Sequence, residues 1–233
     1  ISNTRIAIAG AGRMGQALAD VVQQQSDLAL CGIWRRGEDL GALLSNADVL
    51  IDFSLPDALE SILAEVQARS VPLVCGVSGL NEMQMQRLRD ASEVVPLVYD
   101  RNMSLGIAVL ERSVREAAAS LGQDFSVAVS EVHHVHKKDS PSGTALKLGE
   151  AIAAARGENG TGSVSFAAER RGEVPGEHEV VMRSATESVV FAHRVTTRQV
   201  FVDGALRAAR WVVAQTAGLY SMQNVLFGDA PKP

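Results

Sequence analysis

The chain has 233 residues, 46% of them hydrophobic, enough to pack a core in one large domain or two small ones. Its 22 basic and 27 acidic side chains leave a net charge of −5 with no long basic run. That excludes the usual nucleic-acid or acidic-lipid surface and points to a small-molecule partner. No apolar run approaches the ~18 residues of a membrane span. Cys31 and Cys75 lie in apolar stretches without metal or redox spacing, so a cytosolic, reducing compartment is expected.

The first half alternates short apolar runs, "RIAIAG", "LALCGIW", "ADVLIDFS", "VPLVCGVS" and "VPLVYDRN", with helix-patterned stretches. Strands alternating with helices predict a parallel sheet covered on both faces, and the nearly continuous apolar runs agree with double coverage. Ligands of such sheets bind at the turns after the strands.

The first turn is "IAIAGAGRMGQAL", with Gly10, Gly12 and Gly15 in G-x-G-x-x-G spacing between a strand and a helix. Gly10 permits the tight turn, Gly12 lets the backbone approach a pyrophosphate, and Gly15 lets the helix pack on the sheet. The turn, with Ala11, Arg13 and Met14, predicts a dinucleotide site whose helix start faces the phosphates. An acidic residue near the end of the second strand would hold an NAD ribose; here "GIWRRGED" offers Arg35 and Arg36. Two arginines suit a 2′-phosphate, so NADPH is expected, with NADH as the weaker alternative. In the competing reading the arginines are solvated and Glu38 or Asp39 reaches the ribose.

Residues 105–121 carry Ile107, Leu110, Val114, Ala117 and Leu121 at helical spacing. "DFSVAVSEVHH" then alternates like a strand, with Phe125, Val127 and Val129 on one face, and a helix over about 141–155 follows. After the glycine-rich loop "ARGENGTGS", the runs "EVVMRS", "ESVVFAHRV" and "RQVFV" read as short strands. A second domain on a mixed or antiparallel sheet fits this half. A last helix over about 205–217 and an "NVLF" strand close the chain.

Three of the five histidines fall in "EVHHVHKKDSPSGTA". A metal site is disfavoured: strand parity sets His133 on the face opposite His134 and His136, and Lys137 and Lys138 repel a cation. Proton transfer needs less geometry, because histidine titrates near neutrality and a lysine can bind an anion beside it. Ser140 and Pro141 read as an N-cap and first helical residue, so Ser142, Gly143 and Thr144 would offer donors to a carboxylate or phosphate. The plainer reading is a charged loop with an ordinary cap.

The segment resembles the E-x-HH-x-x-K-x-D-x-PSGTA signature of the 4-hydroxy-tetrahydrodipicolinate (dihydrodipicolinate) reductase family. "GAGRMG", "DFSLPDA", "CGVSGL", "NMSLG" and "RRGEVPGEH" extend the resemblance along essentially the whole chain. It implies an α/β protein: a Rossmann-like dinucleotide-binding domain over 1–104 and 206–233, and an α+β substrate-binding and oligomerisation domain with a mixed sheet over 105–205. It further implies a cytoplasmic homotetramer of lysine and diaminopimelate biosynthesis, acting on a cyclic dicarboxylate.

The same resemblance gives His133 and Lys137 catalytic roles and makes His134, Ser142, Gly143 and Thr144 substrate contacts. It puts cofactor contacts on Gly10 to Gly15, on Arg35 and Arg36, on Gly76, Val77 and Ser78, and on Asp100, Arg101, Asn102 and Met103. No metal and no role for His136 are implied. Family members that use NADH well commonly carry an acid where Arg35 stands, which favours NADPH here.

Two other readings remain open on the residues alone. Another two-domain NADP oxidoreductase explains the glycine turn but not the histidine segment. A dinucleotide-sensing regulatory module would bind nucleotide without turnover.

Overall fold

The computed structural model describes residues 3–228. The chain divides into two compact units, Ile1–Leu105 with Phe201–Pro233, and Gly106–Val200.

In the first unit the strands β1 (Thr4–Ala9), β2 (Leu28–Trp34), β3 (Val49–Asp52), β4 (Leu73–Cys75) and β5 (Pro96–Tyr99) alternate with helices α1 (Arg13–Val22), α2 (Leu40–Leu44), α3 (Leu59–Arg69) and α4 (Glu82–Ser92). Residues 6–9 and 49–51 are wholly buried, because helices cover both faces and leave no side for polar residues. Asn81 and Gln84 form a reciprocal capping box that starts α4.

The second unit begins in α5 (Leu105–Leu121), the helix read from the spacing of its apolar residues. It continues through β6 (Ser126–His133), α6 (Gly143–Ala155), β7 (Val164–Arg170), β8 (Glu177–Arg183) and β9 (Ser188–Arg194). The sheet order is β7-β6-β8-β9, with β7 parallel to β6 and the other pairs antiparallel. α5 and α6 bring Ile107, Leu110, Val114, Leu148 and Ile152 onto Val127, Val129, Val180 and Met182 of the sheet. A partly buried ion pair, Lys147 Nζ to Glu111 at 2.9 Å, joins the two helices.

The chain then returns to the first unit through α7 (Gln199–Val212), β10 (Gly218–Tyr220) and α8 (Met222–Phe227). β10 extends the first sheet, whose order β10-β5-β4-β3-β1-β2 is parallel throughout. The order reverses direction at β1, so the turns after β1 and β3 splay apart at a switch point.

Four local readings of the sequence are corrected here. "RQVFV" is the opening of α7, where Val202, Ala205, Leu206 and Ala209 sustain a helical period and are buried. That helix ends at Val212 and not near 217. "NVLF" is helical, since Ser221 caps α8 in a box with Asn224. β7 follows the glycine loop and lacks a strand-like pattern because its residues 167–169 face solvent.

α7 packs so closely that a Cβ on Gly204 would sit 1.7 Å from the Met103 carbonyl oxygen. Gly204→Ala is expected to destabilise the protein by about 2 kcal/mol or more and to lower its melting temperature by several degrees in thermal denaturation.

Candidate functional site

The turns after β1, β2 and β3 enclose a cavity of about 430 Å³ lined by Gly10, Gly12, Trp34, Arg35, Arg36 and Phe53, among others. Gly10 has φ +100, and a Cβ there would meet the Phe53 carbonyl oxygen at 2.7 Å. A Cβ on Gly15 would fall 1.8 Å from the Gly10 oxygen, so α1 sits against the turn at an approach only glycine allows. Gly12, the N-cap of α1, has nothing within 4 Å of its Cβ position and no side-chain cap. This cradle fits a dinucleotide: the helix start is left for a pyrophosphate, and Ala11, Arg13 and Met14 flank it.

At the mouth, the Glu38 carboxylate accepts from the Arg35 N–H at 2.9 Å, and Asp39 caps α2 by accepting from the Ala42 N–H. Both acids are thus occupied locally. The exposed guanidinium groups of Arg35 and Arg36 line the cavity, with only long contacts of 3.8 Å to Glu38 and 4.0 Å to Asp57.

Gly76, Val77 and Ser78 follow β4, and Asp100, Arg101, Asn102 and Met103 follow β5, at the same carboxyl edge of the parallel sheet. Asp100 is buried and accepts from the backbone N–H groups of Asn102 at 3.2 Å and Met222 at 3.3 Å, which ties the start of α8 to the β5 turn. Val77 and Met103 are buried; Ser78 and Arg101 are exposed. Asp52, wholly buried at the end of β3, accepts from the Ser54 N–H at 2.8 Å, and burial pushes its carboxyl up to about 6.

In the second unit, β6 directs Val127, Val129, Glu131 and His133 to the buried face. The Glu131 carboxylate contacts His133 Nδ1 and the Arg170 guanidinium, the latter at 3.1 and 3.0 Å, and accepts from the Ser142 N–H at 3.2 Å. The His133 ring meets His178 edge-on at 5.1 Å between centroids, and His178 Nε2 lies 3.3 Å from the Ser142 hydroxyl. Burial lowers the His133 pKa against the opposing pull of Glu131. Burial works to raise that of Glu131, but Arg170 and His133 outweigh it and hold the carboxyl below its usual range.

The strand ends at His133, so His134 and His136 do not share a strand face as the sequence parity suggested; they flank a turn closed by Lys137 N–H to the His134 carbonyl. His134 is half-buried with no partner for Nδ1, and desolvation lowers its pKa. His136 is exposed and 3.3 Å from Glu173. Lys137 Nζ is 2.8 Å from the Asp139 carboxylate.

The start of α6 is also shifted. Ser142, not Ser140, is the N-cap, its hydroxyl accepting from the Ala145 N–H at 3.2 Å, and Gly143 rather than Pro141 opens the helix. The extended backbone of Ser142, at φ −65 and ψ 152, is what sets the cap there. At this helix start the Ser142 N–H meets the protein's own Glu131, and Asp139 just before it is held below its usual range against the cost of burial, chiefly by Lys137 with a smaller pull from the Gly143 N–H. Thr144 is largely buried in the first turn.

Sequence reading did not assign Glu131, Arg170 and His178, although they stand inside quoted motifs. The available signal was parity: Glu131 and His133 are two apart on a strand whose matching positions are core valines. Among the described residues, no group of three His, Cys, Asp or Glu side chains could hold a metal ion. Nor, among them, is any helix long and apolar enough to cross a membrane.

The first unit is that of a nicotinamide-dinucleotide-binding protein, a Rossmann-like parallel sheet joined to a second unit with a mixed sheet. Family models described as "Dihydrodipicolinate reductase, N-terminus" and "Dihydrodipicolinate reductase, C-terminus" match residues 4–103 and 106–226. The 4-hydroxy-tetrahydrodipicolinate reductase of Zymomonas mobilis is 39% identical over 97% of this chain and 98% of its own length. That of Caulobacter vibrioides is 38% identical over 95% and 96%. The chain belongs to the dihydrodipicolinate reductase family.

The fold recurs in a dipicolinate-bound dihydrodipicolinate reductase from Paenisporosarcina, with a TM-score of 0.78 at 22% identity over 96% of this chain and 100% of that one. It recurs more distantly in an engineered D-amino acid dehydrogenase bound to NADP+, with a TM-score of 0.60 at 14% identity over 95% and 94%.

His178, 3% exposed, is pushed down to about 3 by burial from the usual 6.5. As pH falls through that window the unfolded chain takes up a proton that the folded one refuses, so stability is present above it and lost on the way down. By urea denaturation, the loss between pH 7 and 4.5 should be smaller by about 2 kcal/mol in His178→Gln, whose amide can still hydrogen-bond the Ser142 hydroxyl. A wild-type-to-variant difference that does not change with pH would contradict the neutral, buried histidine.

Proposed function

We propose that this protein catalyses reduction of 4-hydroxy-tetrahydrodipicolinate to tetrahydrodipicolinate, with NADPH as the preferred donor and NADH as a poorer one, in lysine and diaminopimelate biosynthesis. Per turnover one substrate, one NADPH and one proton give tetrahydrodipicolinate, NADP+ and water. The observation that carries this is relatedness: reductases of that name align with almost the entire chain, two of them at 39% and 38% identity. Support also comes from the segment that resembles the family signature, where His133 Nδ1 meets Glu131 and Lys137 Nζ lies 2.8 Å from Asp139.

When bound, the reduced nicotinamide supplies the hydride. Gly10 to Gly15 hold the pyrophosphate and Arg35 with Arg36 hold the 2′-phosphate; support comes from the open position at Gly12 and from the local engagement of Glu38 and Asp39. Gly76 to Ser78 and Asp100 to Met103 complete the cofactor's surroundings from the neighbouring turns. His133 and Lys137 move protons. His134, Gly143 and Thr144 hold substrate carboxylates, with Lys137 adding charge, and Ser142, expected with them from the sequence but buried with its N–H on Glu131 and its hydroxyl on Ala145 and His178, sets the turn that presents them. The Lys137 ammonium and the Gly143 N–H, which now favour the Asp139 carboxylate, are the groups a substrate carboxylate would compete for.

The working state is a cytoplasmic homotetramer assembled through the second unit, which also binds substrate. The outer face of its sheet supports this: Ala128, Val132, Val181, Val190 and Ala192 are small or apolar, and Val190 is 54% exposed. The thiols of Cys31 and Cys75 are both free, as in a reducing compartment.

Loss of NADPH absorbance on adding the condensation product of pyruvate and aspartate semialdehyde tests the reaction. A folded, NADPH-binding sample without turnover would overturn it. His133→Gln should lower kcat at least about 100-fold with little change in NADPH affinity, since general acid–base catalysis supplies that order of rate. Arg35→Glu should move the NADPH/NADH preference about tenfold or more toward NADH, as expected when a favourable charge contact becomes a repulsive one.

A further inference from the structure

Glu131 is wholly buried and receives four donors: the His133 ring nitrogen Nδ1, two guanidinium nitrogens of Arg170 and the Ser142 backbone N–H. An ionised carboxylate has about four lone-pair sites in the right directions, whereas a protonated one would turn an O–H toward a donor. Three of the four partners can only donate. The fourth, His133 Nδ1, must also present a proton, because a bare Nδ1 would set its lone pair against a carboxylate oxygen. The proton of the neutral ring is therefore on Nδ1, and Nε2 carries the lone pair, next to Gly176, whose Cβ position lies 3.2 Å from it.

Arg170 reaches further than Glu131. Its Nε donates to the Lys137 carbonyl at 3.3 Å, and another nitrogen donates to the Asp139 carbonyl. One guanidinium on β7 thus fastens the carboxylate behind His133 and the backbone of the loop that carries Lys137. We propose that Glu131 and Arg170 form a positioning pair, which fixes His133 as its Nδ1–H tautomer with Nε2 free to exchange a proton, and which holds Lys137 in register with it. This rests on the proton roles proposed above for His133 and Lys137, and neither Glu131 nor Arg170 is given contact with substrate.

The charged and titratable groups around His133 come from every neighbouring element: Glu131 on its own strand, Arg170 on β7, His178 on β8, and Lys137 on the following loop. Of these only Glu131 favours the imidazolium, and the cations oppose it. Removing its charge while Arg170 remains must move the His133 ionisation to lower pH.

The test is made on full-length protein labelled with 15N-histidine, with the His133 ring assigned by loss of its signals in His133→Gln. Long-range 1H–15N correlation at pH 8 should show His133 as the Nδ1–H tautomer. An Nε2–H tautomer there, in the absence of substrate, overturns the proposal even if turnover is normal. Conversely, absent turnover with an Nδ1–H His133 would sink the reductase reading and leave the tautomer assignment standing.

In kinetics, Glu131→Gln should lower kcat at least tenfold with NADPH affinity within twofold, and should shift the His133-dependent limb of the pH profile down by a unit or more. Glu131→Asp keeps the charge and should restore that limb toward its wild-type position. An unmoved limb in Glu131→Gln refutes the proposal. If Glu131→Gln does not fold, Arg170→Lys replaces the fork by a single ammonium, and unchanged kcat in that variant would refute the pair's role in holding Lys137.

Discussion

The second unit is organised around a carboxylate that cannot reach water. Glu131 sits at a core position of β6, where burying an unpaired charge would cost several kcal/mol, so four donors from three separate segments must converge on it. That demand links β6, β7, the loop after β6 and the start of α6. It also explains why α6 begins at Gly143: Ser142 has its N–H turned to Glu131 and its hydroxyl spent on the cap and on His178.

The first unit handles negative charge in the opposite manner. At Gly12 the helix start of α1 is not capped by a side chain, and the space beside its Cα is open, with nothing within 4 Å of the Cβ position. The donors there are available to a ligand phosphate, whereas at the start of α6 the Ser142 N–H already meets the chain's own Glu131. The family relationship spans both units, since the two family models cover nearly all of the described chain.

Much of this was legible in the residues. β1 to β5 and α5 could be placed because doubly covered strands are continuously apolar and a long surface helix repeats every 3.6 residues. The glycine turn was legible because only glycine tolerates the backbone at Gly10 and the contact at Gly15. "RQVFV" and "NVLF" misled because a short apolar run has the same composition in a strand as in the first turn of a buried helix. β7 was missed because its outward residues carry no alternation.

The sequence by itself determined the two-part α/β organisation, the dinucleotide turn, the arginine pair and the histidine segment with its family likeness, because each is encoded by residues close together in the chain. Only the tertiary structure decided what surrounds His133. Glu131 and His133 are neighbours on one strand, but Arg170 is 39 residues from Glu131 and His178 is 36 residues from Ser142. A hydrogen bond between residues that far apart is set by strand register and sheet order, which local pattern does not contain.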